Sequence, residues 1–398
     1  MSTPVPGSGL EALVRQRGVI VCVGSGGVGK TTTAAALGLE AARLGRRVLV
    51  LTIDPARRLA NALGLPSFGN EVRRIALSDA AAGGELYACM LDTQATFDDL
   101  VHRLSPDDAT RQAIFGNRIY RVVSDNFAGS QEYMATERLY DVHRSGEYDL
   151  IVLDTPPVKN ALDFIEAPGR LARFVDRQIV KWFLMPYDEK RVFGRVLVGT
   201  SGVVFRLLGM IFGRGFLEEL SGFFQAFREL MDGFHERHAA VTRLFADPGT
   251  GFVVVCAPTE PSVDVASFFH DELRSRRLPL EGFVLNRVHR CHDRDLSAVD
   301  LLGPLASELG ADLAAHTTPS LLARLEAAHR RLRSVVREEH PFIERVNAMA
   351  GAGHFVVEVP LLDRPIRDMR GLDELAGRLF PCAPAAVRER RLPPEALS

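Results

Sequence analysis

The stretch Val21 to Thr33, VCVGSGGVGKTTT, puts four glycines into the six residues Gly24 to Gly29, where an apolar run stops and a segment of helical character begins. Gly24 to Thr31 fits the pattern G-x-x-x-x-G-K-[ST], and a strand before it with a helix after it is the context that gives the pattern meaning. Glycine removes Cβ obstruction, so backbone N–H groups can converge on phosphate oxygens. The helix that follows points the positive end of its dipole at the same anions. Gly24, Ser25, Gly26, Gly27, Val28, Gly29, Lys30, Thr31 and Thr32 are therefore the expected phosphate-binding residues. In such a loop the lysine, Lys30, reaches the β- and γ-phosphates, and the Thr31 hydroxyl is a ligand for Mg²⁺.

Outward from the loop, β-branched runs recur at Val19 to Val23, Val48 to Ile53, Leu150 to Leu153, Phe252 to Val255, Gly282 to Leu285 and Phe355 to Val359. Most are apolar at consecutive positions, as strands covered on both faces are, and most are separated by helix-like segments. The expected fold is α/β: a P-loop NTPase with a mostly parallel twisted sheet flanked by helices, its ligands lying beyond the carboxyl ends of the strands. Asp154, at the tip of one buried run, is placed to hold the magnesium shell. Asp54, at the tip of another and followed by Pro55, is a turn starter or, beside a phosphate loop, the carboxylate that orients the attacking water.

Two intervals, 93–146 and 161–248, are helical in pattern and far longer than a strand connection requires. They predict an inserted α-helical subdomain around the core strand at 147–160, with 1–92 and 249–380 forming the rest of the core. Residues 381–398, rich in proline, predict a frayed tail.

The net charge is −2 with both signs interspersed, so no field draws the chain to nucleic acid or anionic lipid. The five cysteines are scattered, without a C-x-x-C pair, and fit a reducing cytoplasm. No secretion signal is read at the N-terminus. Arg195, Arg206 and Arg214 interrupt the most apolar region before it reaches the roughly 18 residues of a membrane span. The expectation is a soluble, cytoplasmic protein.

On these motifs the chain resembles the ArsA/Get3 family of deviant Walker ATPases, within the group that includes the MinD and ParA proteins. Gly26 to Thr32 matches the phosphate loop, Asp54-Pro55-Ala56 the first switch motif and Asp154-Thr155-Pro156-Pro157 the second. Leu285-Asn286-Arg287 resembles the strand end that reads adenine. Val359-Pro360-Leu361 resembles the late loop over the base. The resemblance implies that Asp54 positions the hydrolytic water, that Lys30 serves phosphate, and that Thr31, Asp154 and Asp54 form the Mg²⁺ environment. It places Asn286, Arg287, Pro360 and Leu361 around the base, favouring ATP over GTP, since an amide can both donate to and accept from the adenine edge.

The family's loop normally carries a second lysine, which crosses a dimer interface to the partner's nucleotide; here that position is Ser25. A cation on the transition-state charge is worth about 10³ to 10⁵ in rate, so the serine leaves three readings open. The protein hydrolyses ATP slowly and acts as a switch; or it pairs with a paralogue that keeps the lysine; or Arg57 or Arg58 takes over.

A stripe of Phe205, Leu208, Phe212, Phe216, Leu220, Phe223, Phe227, Leu230 and Phe234 recurs at helical spacing. Met210, Ile211, Phe224 and Met231 lie beyond it, and Trp182 to Met185 upstream. The stripe packs within a helical core or lines a groove for an apolar segment. The resemblance offers two roles. Get3-like factors shelter transmembrane segments of client proteins; ArsA-like pump subunits bind metalloid through cysteines. A nucleotide-dependent scaffold with negligible turnover is the non-enzymatic alternative.

Overall fold

The computed structural model describes residues 8–53, 58–64, 71–77, 83–117, 120, 130–155, 215, 219–220, 222–223, 231–291 and 319–381. Asp54 to Arg57, Pro156 and Pro157 lie outside the described residues, as does the tail from 382. So does the aromatic stripe, apart from Leu220, the buried Phe223 and Phe234, the last of which falls within a helix.

The first half of the chain runs α1 (Ser8–Gln16), β1 (Val19–Val23), α2 (Lys30–Arg43), β2 (Arg47–Thr52), α3 (Arg58–Ala62), β3 (Arg73–Ile75) and β4 (Glu85–Met90). Next come α4 (Thr93–Leu104), α5 (Asp108–Gly116), α6 (Ser130–Ser145) and β5 (Leu150–Asp154). The second half contributes α7 (Met231–Ala246), β6 (Thr250–Cys256), α8 (Glu260–Ser275), β7 (Leu280–Val288), α9 (Pro319–Ala350), β8 (Phe355–Pro360) and α10 (Met369–Leu379). Local chemistry starts several of the helices. The Asp92, Asp107 and Asp368 carboxylates accept from the backbone N–H groups of Ala95, Thr110 and Gly371, capping α4, α5 and α10.

The strands form one eight-stranded sheet in the order β3-β4-β2-β5-β1-β6-β7-β8. Every described pairing is parallel except β3 with β4, so the sheet is the mostly parallel one that the apolar runs predict. Because side chains alternate along a strand, one run feeds two cores. Val19, Val21 and Val23 join one cluster with Phe97, Leu100, Leu139, Phe245 and Phe269 from α4, α6, α7 and α8. Ile20 and Cys22 join the other with residues of α1, α2, α3 and α10. Burial on both faces is why these strands read as continuous apolar runs.

The two helical intervals meet within the first of these cores. Arg237 of α7 pairs with Glu137 and Asp141 of α6, and Asp141 also pairs with Arg103 of α4. Glu137 is 1 % exposed and the Arg237 guanidinium lies 5.1 Å from the centre of the Tyr140 ring. Burial opposes the charge of Arg237, but Glu137 and Asp141 outweigh it and hold its pKa above the ordinary value. The α6 helix leads directly into β5, the strand that ends in Asp154.

Candidate functional site

The chain leaves β1 at Val23 and re-enters helix at Lys30, and the turn between is shaped by its glycines. Gly24 has φ +146°, and a Cβ there would stand 2.0 Å from the Val255 carbonyl oxygen of β6. Gly29, the N-cap of α2, has φ +97°, and a Cβ there would stand 2.3 Å from Asn286 Nδ2. Both conformations exclude an L side chain without strain, and both bring loop backbone against a neighbouring strand.

Within this turn Lys30, 6 % exposed, donates from Nζ to the Ser25 carbonyl at 2.8 Å. The Thr32 hydroxyl bonds back to the Gly29 carbonyl at 2.9 Å, bracing the first turn of α2. Ser25 Oγ lies 3.0 Å from Ser262 Oγ on α8, and Ser262 Oγ also accepts the Ala257 N–H at 2.9 Å. The side chain at position 25 is thus engaged within its own chain.

On the other side, strand register sets Asp154 of β5 between Cys22 of β1 and Thr52 of β2. Thr52 Oγ1 donates to Asp154 Oδ2 at 2.8 Å, and Thr155 Oγ1 donates to the Cys22 carbonyl at 2.8 Å. Asp154 is fully buried, so it is Thr155 that reaches the cleft wall while Asp154 stands behind it. Burial first, then the Asp154 charge, push the Cys22 thiol far up, with Lys30 pulling the other way.

A cleft of about 1070 Å³ opens over the loop. Gly27, Gly29, Lys30, Thr31 and Thr32 form its floor, and Asn286, Arg287 and Leu361 its far wall, so the sequence brings these expected residues to one place. Gly24, Ser25, Gly26 and Val28 sit in the same loop and Pro360 ends β8, none of them lining the cleft. Asn286 has its amide turned to the phosphate loop: Nδ2 donates to the Val28 carbonyl at 2.7 Å, while Oδ1 accepts from the Arg287 N–H at 2.9 Å. An Asn side chain carries a second N–H and a second lone pair, which stay available for a base. Arg287 follows with φ +64°, and His289, two residues on, is tied to Glu339 of α9 through its own N–H at 2.9 Å and through Nδ1 at 2.6 Å.

Several cleft residues were not among those expected from sequence. Asn61 of α3 and the run Leu362 to Arg367 extend the wall, adding the cations Arg364 and Arg367 to Arg287. The arginines lie three and six residues beyond Leu361 and could have been found by extending that motif. Thr52 and Ser262 carry no signal in sequence, because only sheet register and the crossing of α8 bring them to the loop.

The fit of a Mg-nucleotide can be judged on these residues. The donors near the loop, the Thr31 hydroxyl and the Asp154 carboxylate, are hard oxygens of the kind magnesium takes. The cleft has the size of a nucleotide site. A glycine-shaped loop at a helix N-terminus with a buried lysine and a strand-tip carboxylate behind it defines a P-loop nucleotide hydrolase.

The sequence model of the anion-transporting ATPases matches residues 17–298, and the chain belongs to that family, the ArsA ATPases. Among curated relatives it is 27 % identical over 283 residues to the ATPase get3 of Aspergillus terreus, covering 70 % of this chain and 76 % of that one. It is 25 % identical over 283 residues to the ATPase GET3 of Podospora anserina, with the same coverage. It is 24 % identical over 291 residues to the ATPase get3 of Schizosaccharomyces pombe, covering 72 % and 78 %. The protein is accordingly an ATPase, cleaving ATP to ADP and phosphate. Among the described residues no helix is long and apolar enough to cross a membrane.

Proposed function

We propose that the protein is a cytoplasmic, Mg²⁺-dependent ATPase whose nucleotide state opens and closes a hydrophobic helical groove for a client or partner segment. The observation that carries this reading is the route from site to helices: α6 runs straight into β5, β5 ends in Asp154 behind the loop, and Arg237 clamps α6 to α7. A γ-phosphate bound by Lys30 and a magnesium ion beside Thr31 and Asp154 would give the two nucleotide states different contact energies, as gating requires. In this reading Asp54 orients the water, and Asn286, Arg287, Pro360 and Leu361 hold the adenine. The active unit is a homodimer, or a heterodimer with a paralogue that carries the missing lysine.

The test is a pair of measurements on the purified full chain. ATP turnover is followed alone and with a lysine-bearing paralogue, and binding of an apolar helical peptide is compared between Mg-ATPγS and Mg-ADP. Peptide affinity that differs several-fold between the two nucleotides supports gating; equal affinity sinks it. A second reading, a nucleotide-dependent scaffold with negligible turnover, draws support from the engagement of Ser25 within its own chain, and single-turnover hydrolysis at the background rate would select it. The metalloid pump draws less. Cys22, Cys89 and Cys256 are buried in strands, and burial pushes each thiol up, Cys256 to about 12, against the thiolate that a metalloid needs.

A further inference from the structure

We propose that Ser262, on a helix outside every nucleotide-binding motif of this chain, is a positioning residue for Lys30, acting through Ser25. This rests on the reading of the loop as the nucleotide site. Two atoms of Ser25 are held at once. Its carbonyl oxygen accepts from Lys30 Nζ at 2.8 Å and its hydroxyl meets Ser262 Oγ at 3.0 Å, so the residue can neither rotate nor slide without giving up one of the two bonds.

Ser262 is itself fixed. It is 5 % exposed, it stands in the first turn of α8, and its hydroxyl oxygen accepts the buried Ala257 N–H at 2.9 Å, which occupies one lone pair and leaves the O–H and the other lone pair for Ser25. The end of β6 is pinned to the same loop from below, where the backbone of Gly24 lies against the Val255 carbonyl. The loop therefore rests on the β6–α8 junction, and the seat of the lysine is set from there. The serine at position 25 has a positive role in this arrangement: it makes the lysine's placement a property of one chain.

Because the Lys30 ammonium meets both β- and γ-phosphates of a triphosphate but only the β-phosphate of a diphosphate, a misplaced seat weakens triphosphate binding more. Removing one hydrogen bond of this kind corresponds to about three- to tenfold in affinity.

The experiment measures the affinity of the full chain for Mg-ATPγS and Mg-ADP by calorimetry, together with the melting temperature without nucleotide. The variants are Ser25→Ala, Ser262→Ala and the double variant. Ser25→Ala leaves the Ala257–Ser262 bond in place, so it should melt like the parent yet bind ATPγS about three- to tenfold more weakly, with a smaller loss for ADP. Ser262→Ala should give the same nucleotide effect along with a lower melting temperature, since the Ala257 N–H loses its acceptor. The double variant should bind no more weakly than Ser262→Ala. Parental affinity in Ser25→Ala, equal losses for the two nucleotides, or additive losses in the double variant would each overturn the proposal alone. If the parent chain binds neither nucleotide, the loop is not a nucleotide site and the inference falls with it.

Discussion

Replacing Gly29 by alanine tests how the loop is held. The backbone there has φ +97°, and the added Cβ would stand 2.3 Å from Asn286 Nδ2, well inside van der Waals contact. Two costs follow. A non-glycine residue in the left-handed region costs about 1–2 kcal/mol. In addition the Asn286 amide must swing away, giving up its 2.7 Å bond to the Val28 carbonyl, worth about 0.5–1.5 kcal/mol. Gly29→Ala should therefore lower stability by about 2–3 kcal/mol. In an Asn286→Ala background the collision and the bond are already gone, and only the backbone cost of about 1–2 kcal/mol should remain. Equilibrium urea unfolding of the four members of this cycle gives the coupling, expected near 1 kcal/mol in favour of the double variant. If Gly29→Ala costs as much without Asn286 as with it, the contact between β7 and the loop does not constrain the loop, and the reasoning is wrong.

Three further outcomes are expected. The buried thiols of Cys22, Cys89 and Cys256 keep their protons in the folded chain above the ordinary value of 9.0, whereas the unfolded chain releases them. Stability is thus unaffected below pH 9 and falls as pH rises above it, by about 1.4 kcal/mol per pH unit for each thiol; urea unfolding from pH 8 to 11 should show the slope, and Cys22→Ala should reduce it by one proton. Arg237→Met removes the guanidinium from Glu137 and Asp141 and should cost about 3–5 kcal/mol, read by the same unfolding measurement, with a loss under 1 kcal/mol counting against a clamp between the helical intervals. Thr52→Val deletes the 2.8 Å bond to Asp154 while keeping a β-branched strand residue, and should raise the magnesium concentration needed for half-maximal ATP binding by about tenfold.

What sequence could reveal followed from local chemistry. The loop was legible because a glycine-rich turn between an apolar strand and a helix is a recognisable phosphate-binding pattern, and the central strands because burial on both faces leaves β1 wholly apolar and β5 apolar up to its terminal Asp154. The edge of the sheet was harder. In β4 the exposure alternates as Glu85, Tyr87 and Met90 turn partly outward, and β3 is three residues of which two are arginines, so neither presents the continuous run by which the centre was recognised. Asp154 was legible as a strand-tip carboxylate, but its partner Thr52 was not, because their meeting depends on β2 lying next to β5, a neighbour distant in sequence. Ser25 could be identified as standing where the family carries a lysine; its partner could not, since Ser262 lies 237 residues away and becomes relevant only when α8 crosses the loop.

The contacts around the loop divide into two sets, and that division bears on how a nucleotide could act. Gly24, Ser25 and Val28 are each held to the β6–β7 side, through Val255, Ser262 and Asn286. Asp154 and Thr52 belong to the β2–β5 side, from which α6 departs toward the Arg237 clamp. The phosphate loop is thus braced from the β6–β7 side, whereas Asp154 is held by Thr52 of β2 and by the pairing of β5 with β1. In the proposed reading, a triphosphate gripped by Lys30 and a cation beside Asp154 would add to the Thr155–Cys22 bond that already links the two sides, and loss of the γ-phosphate would remove that addition. The energy available for moving the helical elements would then be the difference between those two states. In the proposed reading it would fall on β5 and α6, because the loop's other side is braced through Val255, Ser262 and Asn286, and the Ser25–Ser262 contact is part of that brace.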